Sequence, residues 1–162
     1  MEKENKTVSF LTLGCKVNQY DSDAMRTIFL QQGYKAVKEE EEADVYVINT
    51  CSVTSIGDRK SRQMVRKIRR KHPQAVIAVA GCYAQIAPEI FEAMGDIDVI
   101  VGAQNRSKIV EYVEQAQKKE KTINAVKDIM SVTEFENLYV DAEGETKTRA
   151  FIKVQEGCDN YC

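Results

Sequence analysis

Apolar residues gather in short runs along this chain, and the runs are separated by longer stretches with a helical period. Residues 7–13 (TVSFLTL), 44–49 (DVYVIN) and 75–80 (AVIAVA) are rich in Val, Ile and aromatic side chains, and each leads into a turn or helix-start signal, so they read as strands. A fourth strand is expected over 97–101, ending at Gly102. Between the strands, helices are expected from about Asn18 to Gly33, from Asp58 to His72 before Pro73, over 87–94, and from Arg106 to about residue 119. The first helix should turn Tyr20, Ala24, Met25 and Ile28 toward the sheet and close on Gly33; the second should bury Met64, Val65 and Ile68. Residues 120–132 are mixed in pattern, with room for one further short strand.

Alternation of strand and helix implies parallel strands joined by right-handed crossovers, which carry every strand's C-terminal end to one edge of the sheet. The expected fold class is therefore α/β, an open, mainly parallel sheet with flanking helices. Near residues 141–147 the composition turns polar, as a linker does, and residues 149–155 alternate as a strand would. This predicts a first domain over residues 1–145 and the start of a second over 146–162.

At 162 residues and 43% hydrophobic, the chain is long enough for one substantial core. The net charge of −2 gives no global field that would favour nucleic acid. The charged start MEKENKTVSF lacks an apolar targeting stretch and no later run approaches a membrane span, so a cytoplasmic protein without membrane association is expected. Two local charge runs depart from the average. The acidic run Lys38–Asp44 reads as a solvated loop, whereas Arg59, Lys60, Arg62, Arg66, Lys67, Arg69, Arg70 and Lys71 put a one-signed block on a single helix. Such a block is either a solvated surface or a phosphate-contacting patch.

The five cysteines change the picture most. Cys15, Cys51 and Cys82 each follow one of the first three strand-like runs, while Cys158 and Cys162 close the sequence. A single free cysteine is commonly a small buried hydrophobe. Three thiols delivered to the C-terminal ends of parallel strands, where open α/β sheets build ligand sites, point instead to a shared site. In a reducing compartment such thiols bind metal or catalyse rather than form disulfides, and the odd count agrees. Asn18, Asn49, Thr50 and Gln85 flank them and either close turns or donate hydrogen bonds into the site. His72, the one histidine, sits at a helix end before Pro73 and suits a capping or surface role. Structural zinc and thiol redox chemistry both favour close C-x-x-C pairs, which are absent, and a nucleotide-binding flavodoxin-like domain would want a glycine-rich phosphate loop.

The segments LGCKVN, NTCSVT, GDRKSR, AGCYAQ, VGAQNR and KVQEGCDNYC together resemble the radical S-adenosylmethionine methylthiotransferases, over essentially the whole chain. Their wording is most similar to the branch that acts on threonylcarbamoyladenosine in tRNA; other branches act on isopentenyladenosine in tRNA or on a ribosomal-protein aspartate. The resemblance implies that Cys15, Cys51 and Cys82 hold an auxiliary 4Fe-4S cluster. It also implies that Cys158 and Cys162 are the first two ligands of the radical-generating 4Fe-4S cluster that binds S-adenosylmethionine, and that residues 146–162 begin a radical-SAM barrel. The third cysteine of that motif would stand three residues past Cys162, so the chain is expected to be an inactive N-terminal fragment of the enzyme. Implied partners are tRNA and an electron donor such as flavodoxin or ferredoxin. The alternative is a non-catalytic metal-binding module.

Overall fold

The computed structural model of the protein describes residues 6–52, 55–118, 121–141 and 152–155. Six parallel strands, β1 (Thr7–Thr12), β2 (Lys35–Val37), β3 (Val45–Thr50), β4 (Val76–Gly81), β5 (Val99–Ile100) and β6 (Ile123–Asn124), form one open sheet in the order β2-β1-β3-β4-β5-β6. Helices α1 (Lys16–Gln31) and α5 (Ile109–Ala116) cover one face; α2 (Ser55–Lys71), α3 (Cys82–Ile86) and α4 (Pro88–Met94) cover the other. The expected α/β class, with flanking helices, is what the chain adopts.

The central strands β3 and β4 are buried at every position, which is why they read as unbroken apolar runs instead of alternating ones. Val45, Val47, Ala78 and Ala80 point into the layer with Met25, Phe29, Ile109 and Val113. Tyr46, Ile48, Ile77 and Val79 point into the layer with Val65, Ile68, Tyr83 and Phe91. Two apolar layers of this kind make the sheet itself the rigid element, with both faces excluded from water.

Several local expectations are refined. β2 was not anticipated: three half-buried or exposed residues at the sheet edge leave too short a pattern to detect. α1 closes as expected, with the Gly33 amide bonded to the Leu30 carbonyl and the Tyr34 amide to that of Phe29, while Phe29 and Tyr34 meet edge to face at 5.0 Å. Ala24 and Met25 are buried as expected, but the inward face also takes Asn18, Asp21, Ser22 and Phe29, and Tyr20 and Ile28 are only half-buried. The first turns of α1 lie against the polar ends of the strands, so polar residues are buried there. The helix expected over 87–94 is preceded by the short α3, and Pro88, which cannot donate to a continuing helix, separates the two. The helix expected from Arg106 opens with a 3-10 turn, Arg106–Lys108, and Asn105 caps nothing with its side chain, donating instead to the Ala125 carbonyl.

Of the strand expected over residues 149–155, positions 152–155 are described and carry no regular secondary structure. Cys158 and Cys162 lie outside the described residues.

Candidate metal centre at the carboxyl edge of the sheet

β1, β3 and β4 are immediate neighbours, so the turns that follow them lie side by side. Cys15 directly precedes α1, Cys51 follows directly after β3, and Cys82 is the first residue of α3. The sheet order also puts a topological switch between β1 and β3. The chain leaves β1 toward β2 through α1 on one face and leaves β3 toward β4 through α2 on the other, which opens a crevice between the two strand ends. Cys15 and Cys51 flank that crevice and Cys82 stands one strand further on.

All three cysteines are free thiols; Cys51 is buried, whereas Cys15 and Cys82 are exposed. They are near enough to influence each other electrostatically. Partial enclosure pushes the Cys82 thiol above its ordinary value, Cys51, Cys15 and Asp21 add to the rise, and Arg106 works against it. Among the described residues, no three His, Cys, Asp or Glu side chains form a group that could hold one metal ion.

The backbone approaches closely around the thiols. Gly14 has φ 102°, and a Cβ there would lie 2.6 Å from Cys51 Cβ and 2.7 Å from its sulfur. Gly81, before Cys82, has φ 95°, and a Cβ on it would fall 2.4 Å from both Asn49 Oδ1 and the Thr50 carbonyl. Each glycine is therefore required twice, for its backbone conformation and for the space.

The residues flanking the cysteines close turns. Asn18 Nδ2 donates to the carbonyls of Leu13, at 2.7 Å, and Thr50, at 3.0 Å, tying the end of β1 to the end of β3. Asn49 Nδ2 donates to the Asn18 carbonyl and to Ser22 Oγ. Thr50 Oγ1 donates to the Ala80 carbonyl at 2.6 Å and accepts from the Ala84 amide, which joins β3, β4 and α3. Gln85 bridges the Lys127 carbonyl and the Ala103 amide. The donor groups of Asn18 and Asn49 are thus committed to the scaffold, while the buried Asn49 Oδ1 has no hydrogen-bond partner among the described residues. His72 stacks on Tyr46 with centroids 5.0 Å apart, away from the thiols.

A cavity of about 730 Å³ opens beside Cys82, walled by Asn18, Asp21, Gln85, Arg106 and Phe135 among others. Its charged wall was not anticipated from the sequence. Arg106 is buried and donates to Asp21 and, at 3.2 Å, to Glu136; Lys153 donates to the other oxygen of Asp21 at 3.0 Å. The one sequence trace of this group is Arg106 at the end of VGAQNR.

Fold and site together define an open parallel α/β domain with three cysteine-bearing turns side by side at the carboxyl edge of its sheet, two of them at the topological switch. Residues 7–102 match the family described as "Uncharacterized protein family UPF0004", and the chain belongs to that family. It is 47% identical over 156 residues to the threonylcarbamoyladenosine tRNA methylthiotransferase MtaB of Bacillus subtilis (strain 168), covering 96% of this chain and 34% of that protein. It is 40% identical over 160 residues to the MtaB of Aquifex aeolicus (strain VF5), covering 96% and 38%. It is 31% identical over 158 residues to a tRNA-2-methylthio-N(6)-dimethylallyladenosine synthase of Natranaerobius thermophilus (strain ATCC BAA-1301 / DSM 18059 / JW/NM-WN-LF), covering 94% and 34%. The resemblance to methylthiotransferases is therefore met, and the chain spans about a third of the length of the curated relatives it matches. Among solved structures, the isolated REC domain of RcsB from Salmonella enterica serovar Typhimurium aligns with a TM-score of 0.53 at 17% identity, over 74% of this chain and 92% of that one, a likeness of fold alone. No helix among the described residues is long and apolar enough to cross a membrane.

Proposed function

We propose that this chain is the cluster-bearing N-terminal domain, residues 1–145, of an enzyme that adds a methylthio group to threonylcarbamoyladenosine in tRNA, with residues 146–162 beginning its radical-SAM domain. The observation that carries the reading is the delivery of Cys15, Cys51 and Cys82 by three adjacent parallel strands to neighbouring turns at the carboxyl edge of the sheet. The greater identity to the two MtaB proteins than to the dimethylallyladenosine synthase favours this substrate.

The donor set fits an auxiliary 4Fe-4S cluster. It consists of thiols alone, the soft ligands that iron–sulfur centres take, and each thiolate of such a cluster binds a different iron, so convergence on one point is not needed. Gly14 leaves the Cys51 sulfur a side free of any side chain on that residue. When bound, a cluster with three protein ligands supplies an iron with an open position for sulfur chemistry. The chain's own part is positional: Asn18 and Thr50 fix the three ligand turns relative to one another, and the Arg106–Asp21 pair sets the charge beside Cys82. Cys158 and Cys162 are assigned to the second cluster, with S-adenosylmethionine as its ligand and a flavodoxin or ferredoxin as electron donor. As a cytoplasmic protein it would meet tRNA directly.

Iron and acid-labile sulfide after anaerobic reconstitution test the assignment. The Cys158→Ala/Cys162→Ala chain should hold about four irons and Cys15→Ala little. Absence of iron from both variants overturns it.

A further inference from the structure

Helix α2 carries eight cations and one carboxylate, Asp58, inside a chain of net charge −2. Its cations divide into three groups. Arg62 donates to the Tyr83 hydroxyl and lies over that ring, 5.8 Å from its centroid. Arg69 donates to the carbonyls of Asp96, Pro73 and Ala75 and pairs with Asp98 at 2.6 Å. These two arginines dock the flank of the helix on the sheet and fix which face looks outward.

The other six are exposed and fall into two columns at spacings of i, i+7 and i+11, which return to one face of an α-helix. Lys60, Lys67 and Lys71 line a cavity of about 370 Å³ whose far wall includes Glu39 and Glu40, so their charge is opposed from across the cavity. The side chains of Arg59, Arg66 and Arg70 make no hydrogen bond or ion pair with the described residues. This column has no internal compensation.

One feature separates it from an ordinary solvated face. Exposed helix surfaces gain from pairs of opposite charge at i and i+4; α2 has one such spacing, Asp58–Arg62, whereas Arg62–Arg66, Arg66–Arg70 and Lys67–Lys71 are like-charged, which costs stability. An anionic partner relieves that penalty.

We propose that the arginine column Arg59, Arg66 and Arg70 binds the phosphate backbone of RNA, a role that rests on the tRNA reading above. Arg59 stands eight residues past Cys51, close to the carboxyl edge of the sheet, and the column extends from there by about 16 Å at the helical rise of roughly 1.5 Å per residue. A bound strand would therefore run from the cysteine crevice along the helix. The strip between the columns presents Gln63 and one apolar side chain, Ile56, which is too little for the desolvated core of a protein interface.

The test is fluorescence anisotropy of a labelled tRNA anticodon stem-loop, titrated with this chain over a series of KCl concentrations. The wild type is compared with Arg59→Gln/Arg66→Gln/Arg70→Gln and with Lys35→Gln/Lys108→Gln/Lys118→Gln, which removes equal charge elsewhere. Loss of three phosphate contacts should lower the slope of log affinity against log salt by about 2 and weaken low-salt binding about tenfold or more, with the control close to wild type. Equal binding by the two triple variants, or no binding by the wild type, overturns the proposal. So does unchanged RNA affinity alongside slower reduction of the reconstituted arginine variant by an acidic electron-donor protein, which would make the column a protein interface. Iron content measured on the same samples keeps the two readings apart: full cluster with unchanged RNA binding sinks the surface alone, and salt-sensitive RNA binding without iron sinks the cluster alone.

Discussion

Arg106 and Asp21 form an ion pair inside the protein, with side chains 2% and 6% exposed, though the two residues stand 85 positions apart in sequence. The pair ties α1 to the turn before α5 at the wall of the cysteine crevice, where Glu136 also pairs with Arg106 and Lys153 with Asp21.

Removing one member of a buried pair strands the other. Arg106→Gln should destabilise the chain by about 3 kcal/mol, because Lys153 offsets part of the charge left on Asp21. Asp21→Asn/Arg106→Gln should recover a substantial part of that loss. Guanidinium denaturation of the three proteins checks this, and additive losses in the double variant would contradict it.

Gly14 and Gly33 offer a paired comparison. Both have positive φ, 102° and 87°, but a Cβ on Gly33 meets nothing within 4 Å, whereas one on Gly14 collides with Cys51. Gly33→Ala should cost about 1–2 kcal/mol from backbone strain alone. Gly14→Ala should cost more and displace the Cys51 thiol, seen as slower or incomplete iron uptake on reconstitution. Equal losses would show that the close approach is unimportant.

Cys82 provides a pH signature in the metal-free chain. Its thiol is held above the ordinary value, so the folded chain keeps this proton where the unfolded chain has lost it. Its contribution to stability is then complete below the ordinary thiol value and disappears as pH rises through the raised one. Alkylation by iodoacetamide should reach half its maximal rate at higher pH for folded than for urea-unfolded Cys82, and Arg106→Gln should shift the folded value further upward. A folded profile at or below the unfolded one would refute the arrangement of charges.

Arg69 and Arg70 are adjacent in sequence and opposite in consequence. Arg69→Gln removes a carboxylate partner and several carbonyl contacts and should destabilise by about 2 kcal/mol, while Arg70→Gln should stay within about 0.5 kcal/mol of wild type. Thermal unfolding distinguishes the two.

The cysteine-bearing strands were legible because burial on both faces makes β3 and β4 continuous apolar runs, and the turn after each is marked by its cysteine. β2 escaped because three edge residues carry no pattern. The inward face of α1 was legible at Ala24 and Met25 but not in its first turns, because an apolar period finds a core and those turns bury Asn18, Asp21 and Ser22 against strand ends. Arg106 was assigned only to a helix start. A buried arginine looks like any surface arginine until the fold brings its carboxylate from 85 positions away.

The three crevice thiols belong to turns 36 and 31 positions apart along the chain, and no short segment holds two of them. Small zinc domains begin with neighbouring ligands that can seize metal before folding and are then shaped by it. Here the two apolar layers assemble without the thiols that face the crevice, so the order of events is reversed: the polypeptide must find its sheet first. Loading of this site then becomes a late step in the life of the molecule, and no two of these three thiols form a local trap for the wrong ion while the chain is still unfolded.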